Sequence, residues 1–163
     1  MSFIGVITNI KNETYMSKIL EKVFVEEQII FITDKNIENM RNIRFETIVI
    51  DTKLEQIEYL KAILLNTKYV ILNADIVIKT DIMENLNLVV ISYGFQNKAT
   101  FTVSSVEENT IIICLQRIIK SISGKKYEPQ EFEVENNQNA DIHVIICLQI
   151  LLQFYEKIPI LVN

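Results

Sequence analysis

Phe3-Ile4-Gly5-Val6-Ile7-Thr8-Asn9-Ile10-Lys11-Asn12-Glu13-Thr14 opens the chain with an apolar, β-branched run, then a polar turn, then the start of an amphipathic segment. Met16, Ile19, Leu20 and Val23 follow on one helical face, so the order is strand, turn, helix. Similar runs recur at Ile29–Thr33, Thr47–Asp51, Tyr69–Asn73 and Leu88–Ser92. Each is nearly continuously apolar, which suits strands covered on both faces. Ile57, Leu60 and Leu64 mark a second amphipathic helix; Lys35–Ile43 is a weaker one and Asp81–Leu86 a turn or two. The alternation predicts an α/β fold, a mainly parallel sheet with flanking helices in a P-loop-like mononucleotide-binding topology.

After Gly94 the pattern changes. Thr100–Val106 alternates, Thr110–Gln116 and Glu131–Val134 are further runs, and Glu107-Glu108-Asn109 and Ser123-Gly124-Lys125 have the polarity of turns. These predict a small antiparallel annex. Asp141–Glu156 is apolar nearly all round, which predicts a buried C-terminal helix, and Pro159 follows it. The expected organisation is one domain over 1–163: a parallel part over 1–95, the annex over 96–135, and the helix over 140–157.

Length and charge narrow the classes of function. With 163 residues the chain can bury one sizeable core unaided. Its net charge of −5 argues against nucleic acid as a partner, because phosphate binding needs a basic face. The one basic grouping, Arg117, Lys120, Lys125 and Lys126 around Gly124, reads as a solvated turn. No apolar run is long enough to span a bilayer, and Met1-Ser2-Phe3-Ile4-Gly5 lacks an export signal, so no membrane is expected and the location is cytoplasmic. Cys114 and Cys147 lie in apolar runs at no metal-like spacing and read as reduced core thiols; His143 stands alone in an apolar stretch and reads as a helix residue.

Ligands of parallel α/β sheets bind beyond the carboxyl ends of the strands, which directs attention to the Thr8–Thr14 turn. A nucleotide-hydrolysing domain places a glycine-rich loop there. This turn has no glycine, a β-branched Ile10 at its middle and Glu13 near the helix start. Positive φ angles are denied to it, and a carboxylate stands where phosphate would sit. Thr8, Asn9, Lys11, Asn12 and Thr14 remain as candidate ligand-binding residues, with Lys11 the only cation.

Phe3-Ile4-Gly5-Val6-Ile7-Thr8-Asn9 before a helix resembles the opening of the Mur ligase central domain. Tyr69-Val70-Ile71-Leu72-Asn73-Ala74-Asp75 resembles that family's "V-x-N-x-D" strand end, and Val89-Val90-Ile91-Ser92-Tyr93-Gly94-Phe95 its "v-i-t-y-G" segment. Phe132-Glu133-Val134 through Gln138-Asn139 resembles its "l-x-G-x-H-N" segment, with Asn136 in place of Gly and Gln138 in place of His. The resemblance covers nearly the whole chain as a shortened central domain, with no counterpart of the flanking domains. It singles out Asn73, Asp75, Tyr93, Gly94 and Asn139. Mur ligases use ATP to join an amino acid to a UDP-linked muramyl substrate through an acyl phosphate. Here the loop lysine position carries Asn12 and the metal-binding Glu and His have no match, so the resemblance implies the fold without the activity. The expected function is a non-catalytic binding or interaction module for a protein or a small acidic or nucleotide-like ligand, without a cofactor and free to form an oligomer.

Three other patterns bear on function. Asp34, Asp51 and Asp75 close the second, third and fourth strands, and carboxylates gathered at one sheet edge would hold Mg²⁺ and make the chain a Mg-dependent or nucleotide-binding enzyme; Asp also simply favours strand ends because it caps turns. Asp51 also prompts comparison with phospho-accepting receiver domains, but Thr8-Asn9 replaces their acidic pair and Ser92-Tyr93 their lysine. Ser104-Ser105 has no base beside it in any arranged motif, which predicts solvent-facing strand residues.

Overall fold

A computed structural model describes residues 2–76, 78, 80–136 and 139–157. The chain folds into two compact units, Met1–Ile91 and Ser92–Asn163. The first contains β1 (Phe3–Ile7), α1 (Ile10–Val23), β2 (Gln28–Ile32), α2 (Ile37–Met40), β3 (Thr47–Ile50), α3 (Ile57–Leu64), β4 (Tyr69–Asn73), a 3₁₀ turn (Thr80–Met83) and most of β5 (Val89–Tyr93). The second contains the end of β5, β6 (Phe101–Val106), β7 (Thr110–Leu115), β8 (Ile119–Lys120), β9 (Lys126–Tyr127), β10 (Gln130–Glu135) and α4 (Ile142–Phe154). The structure is thus mixed α/β, with a mostly parallel sheet flanked by helices, antiparallel strands after it and a C-terminal helix.

In the first unit the strands run in the order β5-β4-β3-β1-β2. β1 is parallel to both β2 and β3, and β3 is parallel to β4. Every residue of β3 and all but the first of β1 are buried, as continuous apolar runs require. Ile7, Ile32, Ile48, Ile50 and Val70 pack with Ile37 of α2 and Leu60, Ile63 and Leu64 of α3. Each such side chain contributes roughly 1.5–3 kcal/mol on leaving water. α1 presents a separate stripe of Asn12, Met16, Leu20 and Val23 as its buried residues. Gly5 lies between Ile48 and Ile32, whose Cδ1 atoms stand 2.6 and 2.8 Å from where a Cβ would be.

The weak helix expected over Lys35–Ile43 is a single turn, and the turn or two expected over Asp81–Leu86 is, among the described residues, the 3₁₀ turn Thr80–Met83. The larger departure is at the opening turn. Sequence reading spread it over seven residues, but α1 begins at Ile10, two residues after β1. The physical cause is local: Asn9 caps the helix, its Oδ1 accepting from Asn12 N at 2.8 Å. Glu13 then sits favourably at the positive end of the helix. Lys11, Asn12 and Thr14 are therefore helix residues rather than loop residues.

In the second unit β6 and β7 form an antiparallel hairpin with a bulge between Val103 and Ser105, and β10 pairs antiparallel with β7. Its order is β10-β7-β6-β5, β6 meeting β5 in parallel at Phe101 and Tyr93. Within this unit β6, β7 and β10 lie side by side, and β8–β9 makes a separate two-stranded sheet. Glu107 N bonds Thr110 O at 2.8 Å in the expected hairpin turn. Gly124, with φ 90°, serves the other turn, where Lys120, Lys125 and Lys126 are exposed. α4 starts at Asp141, whose carboxylate accepts from His143 N at 2.8 Å, and ten of its thirteen residues are buried. Both cysteines are free thiols, Cys147 buried and Cys114 partly so. Among the described residues no helix is long and apolar enough to cross a membrane. Pro159 lies outside the described residues.

Candidate functional site

Strand order locates the place where a ligand would be held. From β1 the chain moves to β2 on one side, then returns past β1 to β3 on the other. The crossovers before and after β2 therefore cover opposite faces, and the carboxyl ends of β1 and β3 are where a sheet of this topology holds its ligands. Thr8 follows β1 and Asp51 follows β3, so the candidate residues stand at this reversal.

A connected set of hydrogen bonds joins the ends of β1, β3 and β4. Thr8 Oγ1 donates to Asp51 Oδ2 at 2.7 Å, and Asp51 N donates to Ile7 O at 2.9 Å. Asn73, the last residue of β4, donates from Nδ2 to Asp51 O at 3.1 Å and accepts from Asp75 N on Oδ1 at 2.9 Å. Thr8, Asp51 and Asn73 are 7%, 3% and 5% exposed. Buried polar groups of this kind persist because they are paired. Asn73 thus acts as a clamp between two strand ends, and Asp75 contributes its backbone to an Asx turn.

Asp34 is drawn elsewhere. Its Oδ1 accepts from Glu55 N and Gln56 N, both at 2.9 Å, at the start of α3. The alternative reading places Asp34, Asp51 and Asp75 together around Mg²⁺; Asp34 and Asp51 instead each accept from different protein donors. One carboxylate holds the two residues that precede α3, a second accepts from the Thr8 hydroxyl, and among the described residues no group of three His, Cys, Asp or Glu can hold a metal ion. Topology is the reason, since β1 separates β2, which precedes Asp34, from β3, which precedes Asp51.

Next along the chain from Thr8 stands the first turn of α1. Lys11 and Thr14 are exposed, and Thr14 Oγ1 returns to Ile10 O at 3.1 Å as an ordinary helical contact. Asn12 differs from them in being 6% exposed. The sequence offered one overlooked signal for it: Asn12, Met16 and Leu20 recur every four residues, placing an amide at the head of an apolar stripe.

The remaining motif positions lie in the second unit. Tyr93 is fully buried at the end of β5. Gly94 has φ 141°, a conformation that only glycine takes without strain, and its N–H donates to Phe101 O at 3.1 Å. Asn139 has φ 51° and follows Asn136, whose side-chain amide spans the backbone of Ala140 in both directions, at 2.9 and 3.1 Å. His143 packs edge-on against Phe95 at 5.2 Å, with Nδ1 3.5 Å from Asp141 Oδ1. Ser104 Oγ donates to Ile112 O at 3.4 Å. Gln138, where the resembled family has His, lies outside the described residues.

No known family model matches this chain, and no curated protein sequence matches it either. Among solved structures it is similar to the methionyl-tRNA formyltransferase from Clostridium thermocellum, at 17% sequence identity and a TM-score of 0.36. That alignment covers 99% of this chain and 64% of the formyltransferase, so the chain spans less than two thirds of that protein's length. At this level the likeness transfers no residue role and no activity.

Proposed function

We infer that this chain is a non-catalytic, Mur-ligase-like binding module that holds a protein segment or a small acidic ligand at the carboxyl end of its parallel strands. One observation carries the reading: α1 starts two residues after β1 and is capped by Asn9, leaving no loop to wrap a triphosphate. Asp51 is already engaged by Thr8, which supports a role in joining the strand ends rather than in chemistry. The net charge of −5 supports partners other than nucleic acid. Two free thiols suit the cytoplasm.

The test is an ATPase assay on the purified full chain, paired with calorimetric titration of Mg²⁺-ATP. No turnover is expected, and no binding that depends on Lys11. Hydrolysis above the buffer rate, or micromolar ATP binding lost in Lys11→Ala, would overturn the non-catalytic reading.

A further inference from the structure

β2 is the last strand of the first unit's sheet, paired only with β1 among the described strands. Gln28 N donates to Ser2 O at 2.8 Å, and the parallel register runs from Phe3 opposite Gln28 to Ile7 opposite Ile32. Gln28, Ile30 and Ile32 therefore turn their peptide groups toward β1, and Ile29, Phe31 and Thr33 turn theirs to the open edge. Along that edge, Gln28-Ile29-Ile30-Phe31-Ile32-Thr33 has no charge, proline or glycine, the nearest charges being Glu27 before it and Asp34 after it. Ile29, Ile30 and Phe31 are half-buried. Such an edge is a template for an added strand. β10, an edge strand of the second unit, differs in carrying Glu131, Glu133 and Glu135, whose like charges resist self-pairing.

The Asn36 side chain sits on the carboxyl end of this edge. Its Nδ2 donates to Phe31 O at 2.9 Å, and its Oδ1 accepts from Thr33 N at 2.8 Å. One amide thus meets the same two backbone groups that the peptides of a neighbouring strand would meet. Asn36 stands at the N-cap of α2, where an asparagine ordinarily accepts from its own helix. Among the described residues its side chain makes no such capping bond. We propose that Asn36 is a stop on the β2 edge, which keeps that edge from pairing with a second copy of this chain. A second copy is the matching occupant because the uncharged run meets itself across a two-fold axis without like charges opposed. An incoming strand must first displace the amide from both bonds. Beside Asn36 only the Ile29 peptide groups and the Phe31 N–H face outward, a run shorter than an ordinary strand.

The experiment follows amide hydrogen exchange in the full chain at low and high protein concentration, with the mass read by sedimentation. In the parent, the Ile29 and Phe31 N–H groups should exchange fast at every concentration. In Asn36→Ala they should slow by about tenfold or more as concentration rises, equivalent to about 1.4 kcal/mol, while the sedimenting mass grows. Asn36→Ser, too short to span both groups, should behave in the same way. Ile29→Pro in the Asn36→Ala background should return the mass and the Phe31 exchange to the parent's, because proline removes an outward N–H and leaves the bonds to β1 in place. A residue that only fixed the turn after β2 would lower the melting temperature in both variants with no dependence on concentration, and that result overturns the proposal. Slow exchange of Ile29 and Phe31 in the parent overturns it too, since the edge would already be paired. Association of Asn36→Ala that survives Ile29→Pro puts the contact elsewhere and does the same.

Discussion

The Thr8 hydroxyl donates to the Asp51 carboxylate across 2.7 Å, joining residues 43 positions apart at the reversal of strand order. Removing the donor leaves a buried carboxylate short of one partner. Thr8→Val should cost about 1–3 kcal/mol in urea unfolding, and Asp51→Asn, which keeps a side-chain oxygen for the hydroxyl, should cost less. The Thr8→Val/Asp51→Ala double variant should lose clearly less than the sum of its two single changes, because each of them alone already removes this bond. Additive losses would mean that this bond does not hold the strand ends together.

Asp34 reaches from the end of β2 to two amides at the start of α3. Asp34→Ala should lower stability by about 1 kcal/mol, the usual net worth of hydrogen bonds to a loop backbone. Asp34→Asn should lose less, since an amide oxygen still accepts. Equal losses would assign the effect to charge rather than to the acceptor.

With Asp34 and Asp51 bonded to protein donors, adding Mg²⁺ or Mn²⁺ should leave the melting temperature unchanged. A ligand bound only by the folded state must raise it. A rise that saturates with metal and disappears in Asp51→Asn would restore a metal-dependent reading.

Gly5 has no room for a methyl group. A Cβ there would stand 2.6 Å from Ile48 Cδ1 and 2.8 Å from Ile32 Cδ1, both in the buried core. Gly5→Ala should destabilise by about 1–3 kcal/mol through overpacking. Ile48→Val should be better tolerated in the alanine background than in the parent, which denaturation of the four proteins would read directly.

Burial raises the pKa of the Tyr15 phenol above its ordinary value of 10.0. The protonated phenol is neutral, so folding favours it. Its contribution is present in full below the ordinary value and is lost as pH rises through the higher folded one. Tyr15→Phe should flatten the alkaline end of the stability profile. Tyrosinate absorbance should show one fewer late-titrating phenol in that variant.

Local physics was legible in the sequence. Continuous apolar runs marked strands covered on both faces, as Thr47–Ile50 are. A change to alternation after Gly94 marked the antiparallel strands. The start of α1 was written there too, in Asn9 as cap and Glu13 in the first turn. The missing glycines drew attention to a loop, although the capping residues already specified a helix.

What only the tertiary structure decided is which strand ends are neighbours. Placing β1 between β2 and β3 brings Thr8 to Asp51 and takes Asp34 to α3. It also makes Asn12 a buried residue at the head of a helix instead of a loop residue. Helical periodicity and capping act over a few residues and leave a mark on the sequence within that span. Hydrogen bonds across 21 or 43 positions depend on crossovers and strand order, which arise from burying several apolar faces at once.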